Sequence, residues 1–597
     1  MWRQWLSRQD PWLPAFVLGI LTLSASLVVL FAVILDARDE SSRASPLPSP
    51  TLPAGDTPEP TPASTPTPAP LTYFGELPPG LDPANFRPGT GANADIVFVE
   101  GKTAIRVPAR YFVPVASVDT GVDSLTSAQL RALVTGDITD WASVGGIPAP
   151  VRFLAAGPPD DLALVAGYTG GAEPAETFES YADLRGAMGL GAGAIAFLPL
   201  EEVRPNVMAL AIDGIDIVRG RGPVDAWPFV HYRTVVATSD AGAAALAALA
   251  EELAVGPPAA INVIATGDII PARCSLSGIR QAGDWAAAFR GPMAELLASA
   301  HLTLGSLDAS INDISTPLDC GRHTNLSAPP EVIEMFLVAG IDSLTVATNH
   351  IFDCGDLGYC GDRAFLRTIE LLHEAGIRTV GGANLEEALA PAIFDVNGVT
   401  FGVLGFDDVA AMDLEATETT AGTAPLDDSY AEERDAGEPA FFRPASELSL
   451  ERFTGAIRAL KEQVDVVIVQ VQSGTEDTHD PSERSIKALR AAVDAGATLV
   501  VGNQAHHVQA LELGEAWFIA YALGNFVYDQ THSPEHEQGY VLEATFWGDR
   551  LVNLRFIPYQ IEDLYRPVIA NGELRTKILG DVFDASLRLL ERAAAGP

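Results

Sequence analysis

The sequence predicts an α/β chain in three parts: an N-terminal transmembrane helix, a first α/β domain, and a second, layered α/β domain that carries a polar site. Three observations predict it. Six short apolar runs between residues 261 and 529 each end in a residue suited to binding a metal or an anion. Helical segments between the runs close with Ala-Gly pairs, at Gly340, Gly376 and Gly496, and a new run follows each. Residues 14–35 are apolar or small without a single charge.

The runs cover 261–266, 302–307, 343–348, 466–471, 498–501 and 517–523. They are mostly β-branched residues or Leu, with polar residues only at the end, which is the pattern of buried strands. Asp268, Asp308, Asn349-His350, Gln472, Asn503-Gln504-Ala505-His506-His507 and Asn525 follow them. Alternating strands and helices imply a layered α/β sheet with right-handed crossovers. In such sheets ligands bind outside the carboxyl ends of the strands, so the polar ends predict one shared site. Two aspartates converging there would repel unless a cation lay between them, and a hard divalent ion meets that need. The neighbouring amides are neutral oxygen ligands, and His350 can donate a proton or a hydrogen bond.

The helices are punctuated in the expected way. Glycine after each supplies a left-handed cap. The helix before Gly496 is expected to open at Asp480-Pro481-Ser482-Glu483, with Ile486, Leu489 and Val493 as its buried stripe. Residues 407–447 are acidic without clear period and read as a surface insertion. Leu579, Val582, Phe583, Ser586, Leu587 and Leu590 mark a C-terminal amphipathic helix.

Residues 14–35 rise about 33 Å as a helix, enough for a hydrocarbon core of roughly 30 Å. Arg3 and Arg8 precede the span, whereas Asp36, Asp39 and Glu40 follow it. The positive-inside rule puts the N-terminus in the cytoplasm and the bulk of the chain outside a cell membrane crossed once. Pro, Ser, Thr and Ala dominate the next thirty or so residues, a composition that builds no core. The expected organisation is a stub and anchor over 1–40, a linker over 41–71, domains over 72–256 and 257–565, and the amphipathic helix over 566–597.

Composition narrows the function. The 597 residues are 48% hydrophobic, ample for sizeable cores. Lys and Arg total 37 against 78 acids, a net charge of −41. Such a surface excludes nucleic acid as a partner, because phosphate contacts need clustered cations. Cys274, Cys320, Cys354 and Cys360 form no CxxC pair, so a structural zinc site is not expected of them. Outside the cell two disulfides are expected. Cys354 and Cys360 lie six apart, and Cys274 and Cys320 follow neighbouring strand ends, so those are the expected pairs.

Two resemblances sharpen the reading. Leu125-Thr126-Ser127-Ala128-Gln129-Leu130, Thr135-Gly136-Asp137-Ile138-Thr139-Asp140-Trp141, Gly193-Ala194-Ile195-Ala196-Phe197-Leu198-Pro199-Leu200 and Trp227-Pro228-Phe229 resemble periplasmic phosphate-binding proteins. The resemblance implies a partial solute-binding α/β domain over 72–256. The family's phosphate-gripping Arg and Ser-Gly-Thr are replaced by Ala155-Ala156-Gly157-Pro158-Pro159-Asp160-Asp161. A structural or partner-binding role for this domain is therefore expected ahead of phosphate binding.

The second domain resembles the CapA family of poly-γ-glutamate capsule synthesis proteins. The matching segments are Thr266-Gly267-Asp268-Ile269-Ile270, Ser306-Leu307-Asp308, Ala347-Thr348-Asn349-His350 with Asp353-Cys354-Gly355, Gly381-Gly382-Ala383-Asn384, and Tyr521-Ala522-Leu523-Gly524-Asn525-Phe526. The resemblance implies a calcineurin-like metallophosphatase fold and a metal-dependent hydrolase site with Asp268 and His350 as catalytic residues. It implies one metal position at Asp268, Asp308 and His506, and a second at Asp308, Asn349, Gln472 and Gln504. The family has histidines where this chain has Gln472 and Gln504. Amide oxygens are weaker ligands than imidazoles, so one tight divalent ion is expected, with Mn, Mg, Ca or Zn as the candidates. The implied role is in making or anchoring a capsule-type surface polymer, with the membrane and the capsule synthesis machinery as partners. A non-catalytic assembly factor with a degenerate metal site, and a sensor of anions or solutes using residues 72–256, are the competing readings.

Overall fold

A computed structural model describes residues 71–75, 86–90, 96–99, 105–237, 256–428 and 442–595. The expected anchor at 14–35 and nearly all of the linker lie outside the described residues. Among the described residues no helix is long and apolar enough to cross a membrane.

The first α/β region is organised on one long strand, Ile105–Ala116. It pairs antiparallel with Val230–Ala237 on one side and with Ala194–Pro199 on the other. Two buried tryptophans tie the layers to this sheet. Trp141 Nε1 donates to Gly193 O at 2.9 Å and Trp227 Nε1 to Phe112 O at 2.8 Å. The helix Ser127–Thr135 opens with a capping box, Thr126 against Gln129, as the residue types there favour.

The second region contains the six strands that carry the candidate site. We number them β1 (Ala260–Ile269), β2 (Leu302–Leu307), β3 (Ser343–Thr345), β4 (Val466–Gln472), β5 (Leu499–Asn503) and β6 (Asn525–Val527). Every residue of β2 to β6 is buried, which accounts for their largely apolar composition. Of the expected run 517–523 only Phe518–Ala520 is a strand, and Asn525 opens β6 rather than ending a strand. The six strands do not lie in one sheet. β1, β2, β3 and β6 belong to an eight-stranded sheet, and β4 and β5 to a six-stranded one. Hydrophobic pattern reports burial but not the choice of partner, so two sheets sharing one set of strand ends read alike in sequence.

Several boundaries differ from expectation for local reasons. The helix Glu483–Asp494 is capped by Ser482, whose Oγ accepts from Ser485 N at 3.0 Å. Asp480 instead accepts from Arg588 Nε at 3.0 Å. Residues Arg566–Ile569 form an edge strand, and the C-terminal helix starts at Gly572. That helix buries Leu579, Val582, Phe583, Ser586 and Leu589, while Leu590 faces out. Within 407–428, Asp407, Asp408, Val409, Ala410, Met412, Ala424 and Leu426 are buried, so this part of the acidic stretch is core. Both expected disulfides are formed, Cys274–Cys320 and Cys354–Cys360.

Residues 70–597 form one compact unit. A single apolar core runs from Phe112, Val115 and Phe197 through Ile261, Val263, Phe401 and Phe546 to Val582 of the last helix. Polar contacts cross at the same place. Trp547 Nε1 donates to Val218 O at 3.0 Å, and Ala209 N to Asn553 Oδ1 at 3.1 Å. Glu543, fully buried, pairs with Arg221 from the first region and lies 3.5 Å from Arg555, which binds Asp123 at 2.6 Å. Removing this carboxylate leaves two guanidiniums facing each other. Glu543→Ala is therefore expected to cost about 2 kcal/mol or more in urea unfolding. Residues 72–256 and 257–565 should also unfold in one transition in the parent chain. An unchanged midpoint, or two separate transitions, contradicts the shared core.

Candidate functional site

β1 is the hub of the site. It runs parallel to β2 and β6, and Asp268 is paired in register with Ser306 on one side and Asn525 on the other. The β1–β2 register shifts between Ala265 and Asp268. Gly267 sits in that irregularity with its α-carbon against the Gly524 carbonyl, where any Cβ would collide. Close approach of the two backbones requires glycine there.

Asp268 is buried and held at both oxygens. Ser306 Oγ donates to Oδ1 at 3.0 Å, and the Gln504 amide to Oδ2 at 3.2 Å. Gln504 follows β5, so this bond closes the gap between the two sheets. The loop it opens is contorted: Gln504 and His506 have φ of 88° and 55°, in the left-handed region that side chains disfavour. Its effect is to bring His506 Nδ1 to 3.7 Å from Asp268 Oδ2. Asn525 orients that ring. Its Nδ2 donates to Gln530 Oε1 at 3.1 Å and to His536 O at 3.0 Å, which turns its Oδ1 toward His506 Nδ1 at 2.8 Å. His506 Nδ1 then carries the proton, and Nε2 keeps its lone pair, the arrangement of a metal-ligating histidine.

Asp308 lies one residue past β2 and is fully buried. Its Oδ1 accepts from the His350 amide at 3.2 Å. Its Oδ2 is buried with no hydrogen-bond partner among the described residues, and so are Asn349 Oδ1 and Gln472 Oε1. Leaving a buried polar group unsatisfied costs about 1–3 kcal/mol, so three acceptors in this state ask for a cation rather than a donor. The residues present thus fit a divalent ion bound by oxygen. Gln504 is different. Its Oε1 accepts from Gln472 Nε2 at 2.9 Å, and its Nε2 donates to Glu476 Oε1 at 3.0 Å. The two glutamines spend one donor and one acceptor on each other, and only the Gln472 oxygen is left over.

Charge is unbalanced here. Burial, then the nearby Asp308 carboxylate, pushes Asp268 up to about 6. Burial likewise raises Asp308, against the pull of His350. Burial disfavours the His350 cation, but the hydrogen bond from Nδ1 to Asp353 Oδ2, 2.8 Å, and the charge of Asp308 outweigh it and raise the ring to about 9. His350 is then protonated at neutral pH, with Nε2–H as a donor.

All the expected residues fall at the carboxyl ends of β1 to β5, and direct bonds join them in two groups. Asp268, Gln472 and Gln504 form one, with the His506 ring 3.7 Å from Asp268, and Asp308 and His350 the other, with Asn349 adjacent in the chain. Asn525 was expected as one of the polar ends, though not as a metal ligand. Ser306 and Glu476 also serve the site and were not among the expected ligands. Ser306 lies inside its strand, and only the family-like Ser306-Leu307-Asp308 segment pointed to it. A further acidic cluster was hidden in the presumed insertion: Asp407, in register with Gln472, is raised to about 7 by burial, and Asp408 binds Arg484 at 2.7 Å.

Residues 262–530 match the family described as bacterial capsule synthesis protein PGA_cap. The chain is 30% identical over 210 residues to capsule biosynthesis protein CapA of Bacillus anthracis, covering 35% of this chain and 45% of that one. It is 30% identical over 211 residues to PGA biosynthesis protein CapA of Bacillus subtilis (strain 168), covering 35% and 48%. Residues 262–530 are thus similar to the CapA family. The chain spans about half the length of the curated relatives it matches. Solved structures give weaker likenesses. A 5'-nucleotidase from Candida albicans aligns at 12% identity with a TM-score of 0.28, covering 55% of this chain and 57% of that one. An ABC-type phosphate transport receptor from Vibrio cholerae aligns at 15% identity with a TM-score of 0.23, covering 27% and 75%. At such scores neither carries an argument about the CapA-like site or about the first region.

The unbalanced charge gives a test on the metal-stripped protein. Asp268 has a folded pKa above its ordinary 3.8. Its protonation supports the fold at low pH, and that support is lost as pH rises through about 6. Asp268→Asn removes the charge and keeps one acceptor for the Gln504 amide, while the Ser306 hydroxyl can turn to accept from the new NH2 group. It should be more stable than the parent at neutral pH, by up to about 3 kcal/mol, and the gap should shrink as pH falls below about 6 and close only below about pH 4. A variant less stable than the parent at every pH would show that the carboxylate is not under strain.

Proposed function

We propose that the chain is a membrane-anchored, extracytoplasmic CapA-family protein that acts in the synthesis or anchoring of a capsule polymer of the poly-γ-glutamate type, through a metal-dependent hydrolase site on a metallophosphatase-like fold. The observation that carries the metal part of this reading is the set of buried, unpartnered oxygens of Asp308, Asn349 and Gln472 beside Asp268. The family match and the printed names of the two Bacillus relatives support the polymer.

In this reading Asp268, Asp308 and His506 hold one divalent ion, with the Asn349 and Gln472 oxygens toward a weaker second position. A bound ion would supply Lewis acidity at a carbonyl or phosphoryl oxygen. The protein's own groups do the rest. Asp353 holds His350 by Nδ1, so that Nε2–H donates to a leaving group or a developing oxyanion. Glu476, through Gln504, sets the amide that restrains Asp268. The pairing of Gln504 with Gln472 favours a single tight ion, and it is also what a non-catalytic assembly factor with a degenerate site would show. Hydrolysis assays on phosphoester and peptide panels separate these two readings.

With Mn²⁺ as the probe, the full chain should bind a single equivalent and Asp308→Ala none, by elemental analysis after dialysis. Gln472→His should add a second equivalent and shift preference toward Zn²⁺, because imidazole is the better ligand for a borderline ion. Two equivalents of Mn²⁺ in the unmodified chain, or none, would contradict the assignment. For the anchor, protease added to intact cells should digest the residues beyond 72; their full protection would place them on the other side of the membrane.

A further inference from the structure

Four of the chain's ten histidines gather in one place, beside the site described above but outside its ligand set. Asp477, His507 and His536 each offer a ligand atom within 4.8 Å of the others. His536 Nε2 lies 2.7 Å from Asp477 Oδ1, and His507 Nε2 lies 3.3 Å from His536 Nδ1. His532 packs against His536, tilted by 45° with ring centroids 3.8 Å apart, and its Nε2 is 3.8 Å from Asp477 Oδ1. His479 closes the row, its ring centroid 5.2 Å from that of His507. His507 and His536 are buried, and His507 Nδ1 has no hydrogen-bond partner among the described residues. Asp477 and His532 are exposed, which leaves the cluster open to solvent on one side.

The arrangement is costly for imidazoles and suited to a metal. Rings packed this closely cannot all be hydrated, and a buried ring nitrogen without a partner loses a hydrogen bond it had in water. Ligand atoms in a tetrahedral zinc shell stand about 3.3 Å apart, given bonds of about 2.0–2.1 Å. With one ligand atom taken from each of Asp477, His507 and His536, the three stand within 4.8 Å of one another, so a modest closing movement brings them to that spacing. His532 and His536 are separated by three residues, Ser533-Pro534-Glu535, the short spacing that puts two imidazoles of one turn on the same ion. Three imidazoles and one carboxylate select a borderline cation rather than Mg²⁺ or Ca²⁺.

We propose that Asp477, His507, His532 and His536 form a second metal site, separate from Asp308, for a borderline divalent cation of the Zn²⁺ class. Its place in the fold gives it a positioning role. Asp477 N donates to Ala505 O at 3.1 Å, His507 directly follows His506, and the His536 carbonyl accepts from Asn525 Nδ2 at 3.0 Å. An ion here ties together the three segments that hold the contorted 504–506 loop and the Asn525 amide that orients His506.

The test uses the full chain carrying Asp308→Ala, which removes the site described above, with Co²⁺ as the probe. The expected result is one equivalent of Co²⁺ with the d–d absorption of a tetrahedral site, displaced by Zn²⁺. Adding His536→Gln or His507→Gln should weaken binding by at least about tenfold, while His479→Gln should leave it unchanged. Zn²⁺ should also raise the melting temperature of the Asp308→Ala chain, a reading that needs no histidine variant to fold. No Co²⁺ bound by that chain, no Zn²⁺-dependent rise in melting temperature, or equal affinity with and without His507 and His536 would overturn the proposal.

Discussion

Asp268 and Asp308 are buried at the ends of neighbouring strands, and their mutual repulsion is the constraint on which the rest of the site depends. A buried carboxylate is expensive unless it is hydrogen-bonded and paired. The fold meets part of that demand with Ser306, the Gln504 amide, the His350 amide and a His350 ring that stays protonated through Asp353. Each donor imposes its own requirement. The Gln504 amide reaches Asp268 only because residues 504 and 506 take up left-handed backbone. The strand carrying Asp268 reaches β6 only because Gly267 and Gly524 let two backbones touch. What the donors leave over is three acceptor oxygens, and these define the place of a cation.

The strand ends were legible in sequence because burial on both faces keeps charged residues out of these strands until their ends, even where Ser306 and Gln470 lie within them. Polar residues just after most runs belong to the site. Helix ends were legible for a similarly local reason: Gly340 and Gly376 adopt φ of 67° and 84°, where other residues pay a steric cost. The division into two sheets was not legible, because Gln504 and Asp268 are brought together by a bond between segments 236 residues apart. The role of Gln504 was only half legible. Its type showed that an imidazole was absent, but whether its oxygen stays free depends on Gln472, a partner that no spacing reveals. Asn525 was visible as the polar end of an apolar run, yet its work is to orient another side chain, which only coordinates display.

Packing between the two α/β regions was hidden for a different reason. Residues such as Phe112, Val115 and Val263 look in sequence like the core of their own domain, and here they share one core. Only charged residues mark the junction. Glu543 is fully buried on a strand of the second region and finds its cation, Arg221, in the first. Its neighbour across the sheet, Arg555, is shared with Asp123 of the first region, so the buried charge is balanced only across the junction. The first region is thus part of the support of the site-bearing sheet, since Glu543 lies on the strand that pairs with β1.

A second group of buried acids shows why the unpartnered oxygens matter more than burial alone. Asp408 and Asp427 both bind Arg484, at 2.7 and 2.6 Å, and all three are buried. Ser473 Oγ adds a bond to Asp408 at 3.4 Å, just beyond the end of β4. Asp407 accepts from the amides of Val409 and Ala410 and is raised to about 7 by its burial, so that it is largely uncharged on the acid side of neutral pH. These carboxylates have a guanidinium, backbone donors or a proton of their own, so their charge is balanced without an ion. It holds the end of β4 in place by hydrogen bonds that protein atoms supply. Asp268 and Asp308, as buried and as close to the same strand ends, have no guanidinium between them. Two clusters of one charge type in one fold are thus separated by a single question: whether the protein itself provides the counter-charge. Where it does, the cluster braces the sheet; where it does not, the fold has left the counter-charge to come from solution.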